Sequence, residues 1–153
     1  MIKNIKIPES YLEEIRKSGK NESKKDKEAV GLLLGQVKDD YIFAMQKENL
    51  LSQRGDGSFY DKLIDMLCYP LILKATIRAS LFRNNLLKLG KQTGVITYHT
   101  HTYDSWSPDD LEFNKRPFSD VPHIRLLYRA DIDNFEAIDE KNEPITIKVI
   151  NNR

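Results

Sequence analysis

The sequence has 153 residues, of which 40% are hydrophobic and 31% are charged, and its formal net charge is +1. The composition excludes a disordered chain, and the lack of a run of about 18 apolar residues excludes a membrane-spanning helix. The net charge shows none of the basic excess that is common among nucleic-acid binders. We therefore expect a single cytoplasmic domain over residues 1–153, without a nucleic-acid or membrane partner, in which the only cysteine, Cys68, forms no internal disulfide.

Apolar periodicity and turn residues predict the secondary structure in chain order. The predicted elements are a strand over 2–7, a helix over 10–16, a charged loop over 17–27, strands over 28–35 and 41–46 joined by a polar turn, a turn over 54–57, a helix over 58–89, a strand over 94–98, a helix that starts at 107, and strands over 124–128, 135–138 and 145–150. Ser10 is predicted to cap the first helix. Pro70 should kink or split the second helix, and Gly90 should end it.

This order of elements predicts the fold class. Helices interrupt strands that form an otherwise largely antiparallel sheet, which is typical of an α+β domain with a mixed sheet flanked by helices. The sequence contains no internal repeat, low-complexity tract or domain linker. The strands and helices are therefore expected to belong to one domain.

Two of the three histidines, His99 and His101, stand together at the end of a predicted strand. Side chains at positions i and i+2 of a strand point to one face, so both imidazoles can approach one ion. Catalytic zinc sites use three protein ligands, including imidazole and carboxylate, and keep a fourth position for water. Asp110 is the nearby candidate for the third ligand, although such a histidine pair is also compatible with a structural role. His123 follows Pro122 and is interpreted as a residue at the surface or behind the ligands.

The segment that contains Asp110 also predicts the start of a helix. Ser107 is a suitable N-cap, Pro108 suits the first helical position, and the acidic residues after it favour the first turn. This capping role requires no metal, but it is compatible with a ligand role because it would hold Asp110 rigidly beside the strand end. Trp106, just before the cap, either lines a substrate cleft or pins the loop.

A third feature is the glutamate that begins the apolar strand over 28–35. A carboxylate in a buried strand is costly unless it is paired or lies at a solvated end. At such an end, Glu28 could act as a general base toward a water whose pKa zinc lowers to about 7.

Together these segments resemble the JAMM metalloprotease family, which is also called MPN+ or Mov34-type. That family has E-x-x-G-L-L-x-G, then H-S/T-H, then S-x-x-D. The corresponding segments here are Glu28 through Gly35, His99-Thr100-His101 and Ser107-Pro108-Asp109-Asp110. The resemblance implies a single MPN-like domain with a cytidine-deaminase-like α+β fold.

The resemblance also implies a role for each matching residue. His99, His101 and Asp110 would hold one catalytic zinc ion. Glu28 would hold and deprotonate a water and pass the proton to the leaving amine, and Ser107 would stabilise the oxyanion. Family members cleave peptide or isopeptide bonds after the C-terminal glycine of ubiquitin or ubiquitin-like proteins. The implied partner is therefore a ubiquitin-like protein, a sulfur carrier or another peptide substrate.

The loop after His101 differs from the family pattern. Thr102 stands where the family usually has proline, and the gap to the serine is five residues where seven are usual. A seven-residue gap would place Asp109 and Glu112 at the serine and aspartate positions, so Glu112 is the alternative third ligand.

Two other functions fit the same residues. The first is a non-catalytic MPN-like scaffold, although family scaffolds typically lack a ligand that this sequence keeps. The second is a hydrolase with the same metal chemistry that acts on a small peptide or on a defence- or toxin-associated substrate. A metal ion held between His99 and Asp110 would favour a hydrolase over the scaffold.

Overall fold

The computed structural model describes residues 1–25, 27–53, 59–112 and 120–151, with 50–53, 59–72 and 109 described by their backbone. Within these residues the chain forms seven strands and three helices. In chain order they are β1 (Asn4–Pro8), α1 (Glu9–Ser23), β2 (Glu28–Lys38), β3 (Tyr41–Gln53), α2 (Phe59–Lys88), β4 (Gln92–His101), α3 (Pro108–Glu112), β5 (His123–Arg129), β6 (Asn134–Ile138) and β7 (Thr146–Ile150). The turn predicted over 54–57 lies outside the described residues.

The strands form one mixed sheet in the order β6-β5-β4-β2-β3-β1-β7. The pairs β2–β3, β2–β4 and β5–β6 are antiparallel, whereas β1–β3, β1–β7 and β4–β5 are parallel. The α+β class with a mixed sheet flanked by helices is therefore confirmed, but the expectation of a largely antiparallel sheet is wrong. Parallel pairs join strands that are not hairpin neighbours, and periodicity along one strand does not reveal them. That one domain extends over 1–153 stays a prediction.

The first helix is longer than predicted. It begins before Ser10, which does not cap it, and it includes most of the charged segment that was expected to be a loop. Its buried residues Leu12, Ile15 and Gly19 lie on one face. A Cβ atom at Gly19 would come within 2.6 Å of the Tyr128 ring, so the helix packs closely on the sheet. This packing, which local sequence does not contain, stabilises a helix beyond its predicted end.

The hairpin and the long helix form where they were predicted, but both strands of the hairpin continue past their predicted ends, to Lys38 and Gln53. β2 and β3 are joined by a turn in which Asp39 has a φ of 49°. α2 continues through Pro70, so of the two expected outcomes, a kink or a split, the split is wrong. The helix ends just before Gly90, whose φ of 70° fits the predicted C-cap. No helix among the described residues combines the length and apolar content that crossing a lipid bilayer requires.

The sheet buries an apolar cluster on each face. Leu33 and Tyr98 belong to the cluster beneath α1, whereas Leu34 belongs to the cluster beneath α2. Because side chains alternate along β4, His99 and His101 point to the face opposite Tyr98. The two histidines therefore lie on the α2 side of the sheet.

Gly31, within the first sequence motif, offers a test of this packing. A Cβ atom there would come within 2.5 Å of the Glu48 carbonyl oxygen and would overlap the Tyr98 hydroxyl. We expect Gly31→Ala to lower the free energy of unfolding by about 1–3 kcal/mol, measured by urea denaturation. Leu89→Ala, at a side chain that is 67% exposed, is the control and should change stability by less than about 0.5 kcal/mol. Equal stability of the two variants would contradict this account.

Candidate metal centre

The three predicted ligands converge at the C-terminal end of β4. Asp110 Oδ2 lies 3.4 Å from His99 Nε2 and 3.3 Å from His101 Nε2. One ligand atom from each residue lies within 4.8 Å of the other two. The strand supplies both histidines on one face, and the first turn of α3 brings the carboxylate back over them.

The chemistry of this donor set fits a zinc ion. Ligands at about 2.0–2.2 Å from a tetrahedral zinc lie about 3.3–3.6 Å from one another, a range that includes both distances to Asp110. His99 Nε2 is buried and has no hydrogen-bond partner among the described residues. A buried polar atom without a partner is costly, and coordination of a cation would satisfy it.

A hydrogen bond orients the second imidazole. His101 Nδ1 lies 3.1 Å from the carbonyl oxygen of Ser105, to which it can donate. The hydroxyl of Ser105 in turn donates to Glu136 Oε2 at 2.6 Å. Donation from Nδ1 leaves Nε2 of His101 as the unprotonated nitrogen, which is the form that binds a metal.

Asp110 is held by the N-terminus of α3. The Ser107 N–H donates to Asp110 Oδ2 at 2.9 Å, and the Asp110 N–H donates to Ser107 Oγ at 3.1 Å. This reciprocal pair confirms the predicted capping arrangement. Burial raises the pKa of the Asp110 carboxyl. The nearby imidazole of His99 and the hydrogen bonds with Ser107 lower it by more, so the pKa lies below its usual range. The carboxylate is therefore ionised at neutral pH, as a metal ligand must be.

Glu28 reaches the same site from β2. The antiparallel register pairs Val30 with His99, which brings Glu28, two residues away on the same face, next to His101. Glu28 Oε1 lies 3.4 Å from His101 Nε2, and its side chain is 37% exposed. Burial raises the pKa of the Glu28 carboxyl and Asp110 adds to the shift, whereas the imidazoles of His101 and His99 oppose it. A raised pKa suits a group that must accept and return a proton near neutral pH.

The other candidate residues do not join the three ligands. Glu112, the alternative third ligand, is exposed and lies outside the cluster, and the side chain of Asp109 lies outside the described residues. Trp106 lies with its ring centroid 5.5 Å from that of His99. His123 is buried, with Nε2 2.7 Å from Thr97 Oγ1, so of its two interpretations the surface position is wrong, and it is not one of the three clustered residues. It is buried because it begins β5, an interior strand of the sheet.

Two residues that support the site were missed in the sequence. The Ala29 N–H donates to Thr100 Oγ1 at 2.9 Å, which ties the start of β2 to the end of β4. Arg125 is 5% exposed and donates to the carbonyl oxygen of Asp110 and to Asn142 Oδ1. Burial lowers the pKa of Arg125, while Asp110 opposes the shift. An arginine within an apolar strand is costly to bury without partners. The position of Arg125 inside the predicted strand over 124–128 was therefore the available sign that it binds another group.

Comparison with known proteins shows similarity at the level of structure. No family model and no curated protein matches the sequence. A JAB1/MPN domain protein from Archaeoglobus fulgidus is 19% identical over 96% of this chain and 97% of that chain, with a TM-score of 0.48. A protein from Desulfitobacterium hafniense is 17% identical over 97% of this chain and 94% of that chain, with a TM-score of 0.54. A structure described as a JAMM metalloprotease-like zinc site in the proteasome and signalosome is 16% identical over 98% of this chain and 99% of that chain, with a TM-score of 0.43.

At 17% identity, the likeness to the Desulfitobacterium hafniense protein is one of fold, and it extends over nearly the whole of each chain. The roles of individual residues in this chain therefore depend on its own geometry.

The geometry predicts which carboxylate binds the metal. We expect Asp110→Asn to weaken zinc binding by at least about 10–100-fold, because it removes an anionic ligand. That range is the usual loss when a residue hydrogen-bonded to a metal ligand is removed. The measurement is isothermal titration calorimetry with zinc. Glu112→Gln is the matched control and should bind zinc like the wild type. If Glu112→Gln weakens binding and Asp110→Asn does not, the third ligand is Glu112.

Proposed function

We propose that this chain is a JAMM-type zinc hydrolase that cleaves a peptide or isopeptide bond. One observation supports the proposal above others. Glu28, which is remote in sequence, lies 3.4 Å from His101 Nε2, on the face where His99, His101 and Asp110 gather. A metal site with a partly exposed carboxylate beside it is the arrangement that metal-assisted hydrolysis requires.

In this proposal His99, His101 and Asp110 hold one zinc ion. Bound there, zinc supplies Lewis-acid polarisation of a carbonyl group and lowers the pKa of water to about 7. The imidazole of His101 is fixed for this task by its bond to Ser105, and Asp110 is fixed by the capping pair. The ligands therefore need little rearrangement when the ion binds.

Glu28 moves the proton. Its carboxylate accepts a proton from the attacking water as the new carbon–oxygen bond forms. It then donates that proton to the leaving nitrogen as the carbon–nitrogen bond breaks, which gives a carboxylate and an amine. Its partial exposure leaves it accessible to water and substrate, and its raised pKa makes it a stronger base toward the attacking water.

Ser107 stabilises the oxyanion in this scheme. Its oxygen accepts the Asp110 N–H, which leaves the hydroxyl hydrogen available to a developing negative charge. Because α3 holds the residue in place, the donor is preorganised.

The proposed substrate is a ubiquitin-like or sulfur-carrier protein, cleaved after its C-terminal glycine. This choice rests on the family resemblance of the motifs. A small peptide or a defence-associated substrate is the other outcome of a substrate test. Action in the cytoplasm, without a nucleic-acid or membrane partner, stays a prediction.

The role of Glu28 is tested by a substitution that preserves shape. We expect Glu28→Gln to bind zinc like the wild type but to hydrolyse ubiquitin-like fusions about 10²–10⁴-fold more slowly, because the general base is lost. Removal of zinc with a chelator should abolish the activity of the wild type. Cleavage after the terminal glycine is followed by mass spectrometry.

The control for this test is Glu112→Gln, which makes the same chemical change at an exposed position near the site. It should cleave at the wild-type rate. Cleavage by Glu28→Gln at that rate would refute the proposed mechanism. A protein that binds zinc but cleaves no fusion or peptide would instead be the non-catalytic scaffold.

The role of Ser107 gives a separate prediction. Ser107→Ala should lower kcat by about 10²–10³-fold, the cost of removing one oxyanion donor. Ser107→Thr retains a hydroxyl and should recover most of that loss. Zinc titration of both variants separates loss of kcat from displacement of Asp110. An unchanged kcat in Ser107→Ala would contradict the assignment.

A further inference from the structure

The outer edge of β6 has an open stretch of backbone. The Ile145 N–H donates to the Ala137 carbonyl and the Asp139 N–H donates to the Glu143 carbonyl, both at 2.9 Å. The backbone polar groups of Ala137 and Asp139 that make these bonds therefore point away from β5. Backbone polar groups alternate in direction along an antiparallel strand. The backbone N–H and C=O of Phe135 therefore also point outward. Within the described chain, no backbone partner meets the N–H or C=O of Phe135 or the N–H of Ala137.

A groove runs along this open edge. Its volume is about 760 Å³, which is large enough for a short extended peptide. Leu12 and Phe135 line it on the α1 side, and Trp106 lines it on the side of the metal ligands. Ile147 and Val149 of β7 form its opposite wall. The groove therefore combines open backbone groups with mainly apolar walls, which also include charged and polar side chains.

The groove lies next to the proposed active site. Trp106, in its wall, has its ring centroid 5.5 Å from that of His99. Its neighbour Ser105 bonds to Glu136 of β6 and accepts the bond from His101. One short segment, 105–106, thus contacts both the metal ligands and the edge strand.

The position of β6 at the edge of the sheet determines how far a chain bound there lies from the candidate metal ligands on β4. Neighbouring strands lie about 4.8 Å apart, so a chain added to β6 would lie about 14 Å from β4, beyond β5 and β6. An extended chain covers about 3.4 Å per residue, so about four residues are needed to reach the ligands on β4. A chain docked at this edge is therefore held away from the bond that is cleaved.

We propose that the groove binds an extended segment of the polypeptide substrate, which adds to the edge of β6 at least about four residues from the cleaved bond. The peptide backbone bonds to Phe135 and Ala137, and alternate side chains face Leu12 on one side and Trp106 on the other. The groove therefore prefers apolar residues at alternate positions. That the segment belongs to a substrate rests on the proposed function, whereas the binding itself does not.

The first measurement is direct binding to the zinc-loaded full chain. The probe is a fluorescein-labelled octapeptide of alternating valine and threonine with a lysine at each end, followed by fluorescence anisotropy. Its counterpart is N-methylated at every residue and keeps the side chains but has no N–H to donate. We expect the counterpart to bind at least about tenfold more weakly. Equal binding of the two peptides, or no binding of either, would overturn addition to β6.

A matched pair of variants locates the binding. Val149→Lys places a charge in the groove at a side chain that is 54% exposed, and it should weaken octapeptide binding about tenfold. Leu89→Lys makes the same kind of change at a 67% exposed side chain outside the groove and should bind like the wild type. Equal affinities of the two variants would overturn the assignment to the groove. Light scattering that shows a dimer broken only by Val149→Lys would assign the groove to a second copy and overturn the proposal.

The second measurement links the groove to turnover. With ubiquitin-like fusions as substrate, Val149→Lys should raise KM severalfold and leave kcat unchanged, and Leu89→Lys should change neither. Cleavage by Val149→Lys with the wild-type KM would overturn the assignment of the segment to substrate. No cleavage by any variant would instead refute the proposed function, while the octapeptide measurement still decides whether the groove binds an extended chain.

Discussion

The antiparallel pairing of β2 with β4 is the constraint on which the site depends. Its register sets Val30 opposite His99, and so brings a carboxylate from one part of the chain to two imidazoles from another. A slip of one residue would turn Glu28 to the opposite face of the sheet. The bond from the Ala29 N–H to Thr100 Oγ1 fixes the pair at the end where the site lies. The middle threonine of the histidine motif thus aligns the strands, and its hydroxyl faces away from the ligands.

The three candidate ligands are oriented by hydrogen bonds from residues around them. Ser105 fixes the ring of His101, Ser107 fixes the carboxylate of Asp110, and Arg125 binds the Asp110 carbonyl. A buried guanidinium is costly, and here its bonds offset that cost by joining α3 to the sheet. The short helix α3 has one turn of its own, so these bonds, more than helix propensity, keep it in place.

The sequence contained most of the site and less of the fold. The histidine pair, the cap at Ser107 and the strand that begins at Glu28 are local patterns, and their geometry follows from strand alternation and helix capping. The choice of Asp110 over Glu112 agreed with the same capping logic. By contrast, the length of α1 depends on the packing of Gly19 against Tyr128, and the burial of His123 depends on the parallel pairing of β4 with β5. Contacts between distant segments leave no periodic signal, so local patterns could not predict these features.

The pairing of β1 with β7 has a consequence for synthesis of the chain. Its ladder runs from Asn4 opposite Thr146 to Pro8 opposite Ile150, so it joins segments from opposite ends of the described chain. During translation the outer edge of β1 has no strand to meet until β7 leaves the ribosome. An unpaired strand edge is a template for other chains, and contacts of such long sequence separation form slowly. Until β7 is made, the nascent chain therefore carries an unpaired edge at which misassembly can begin.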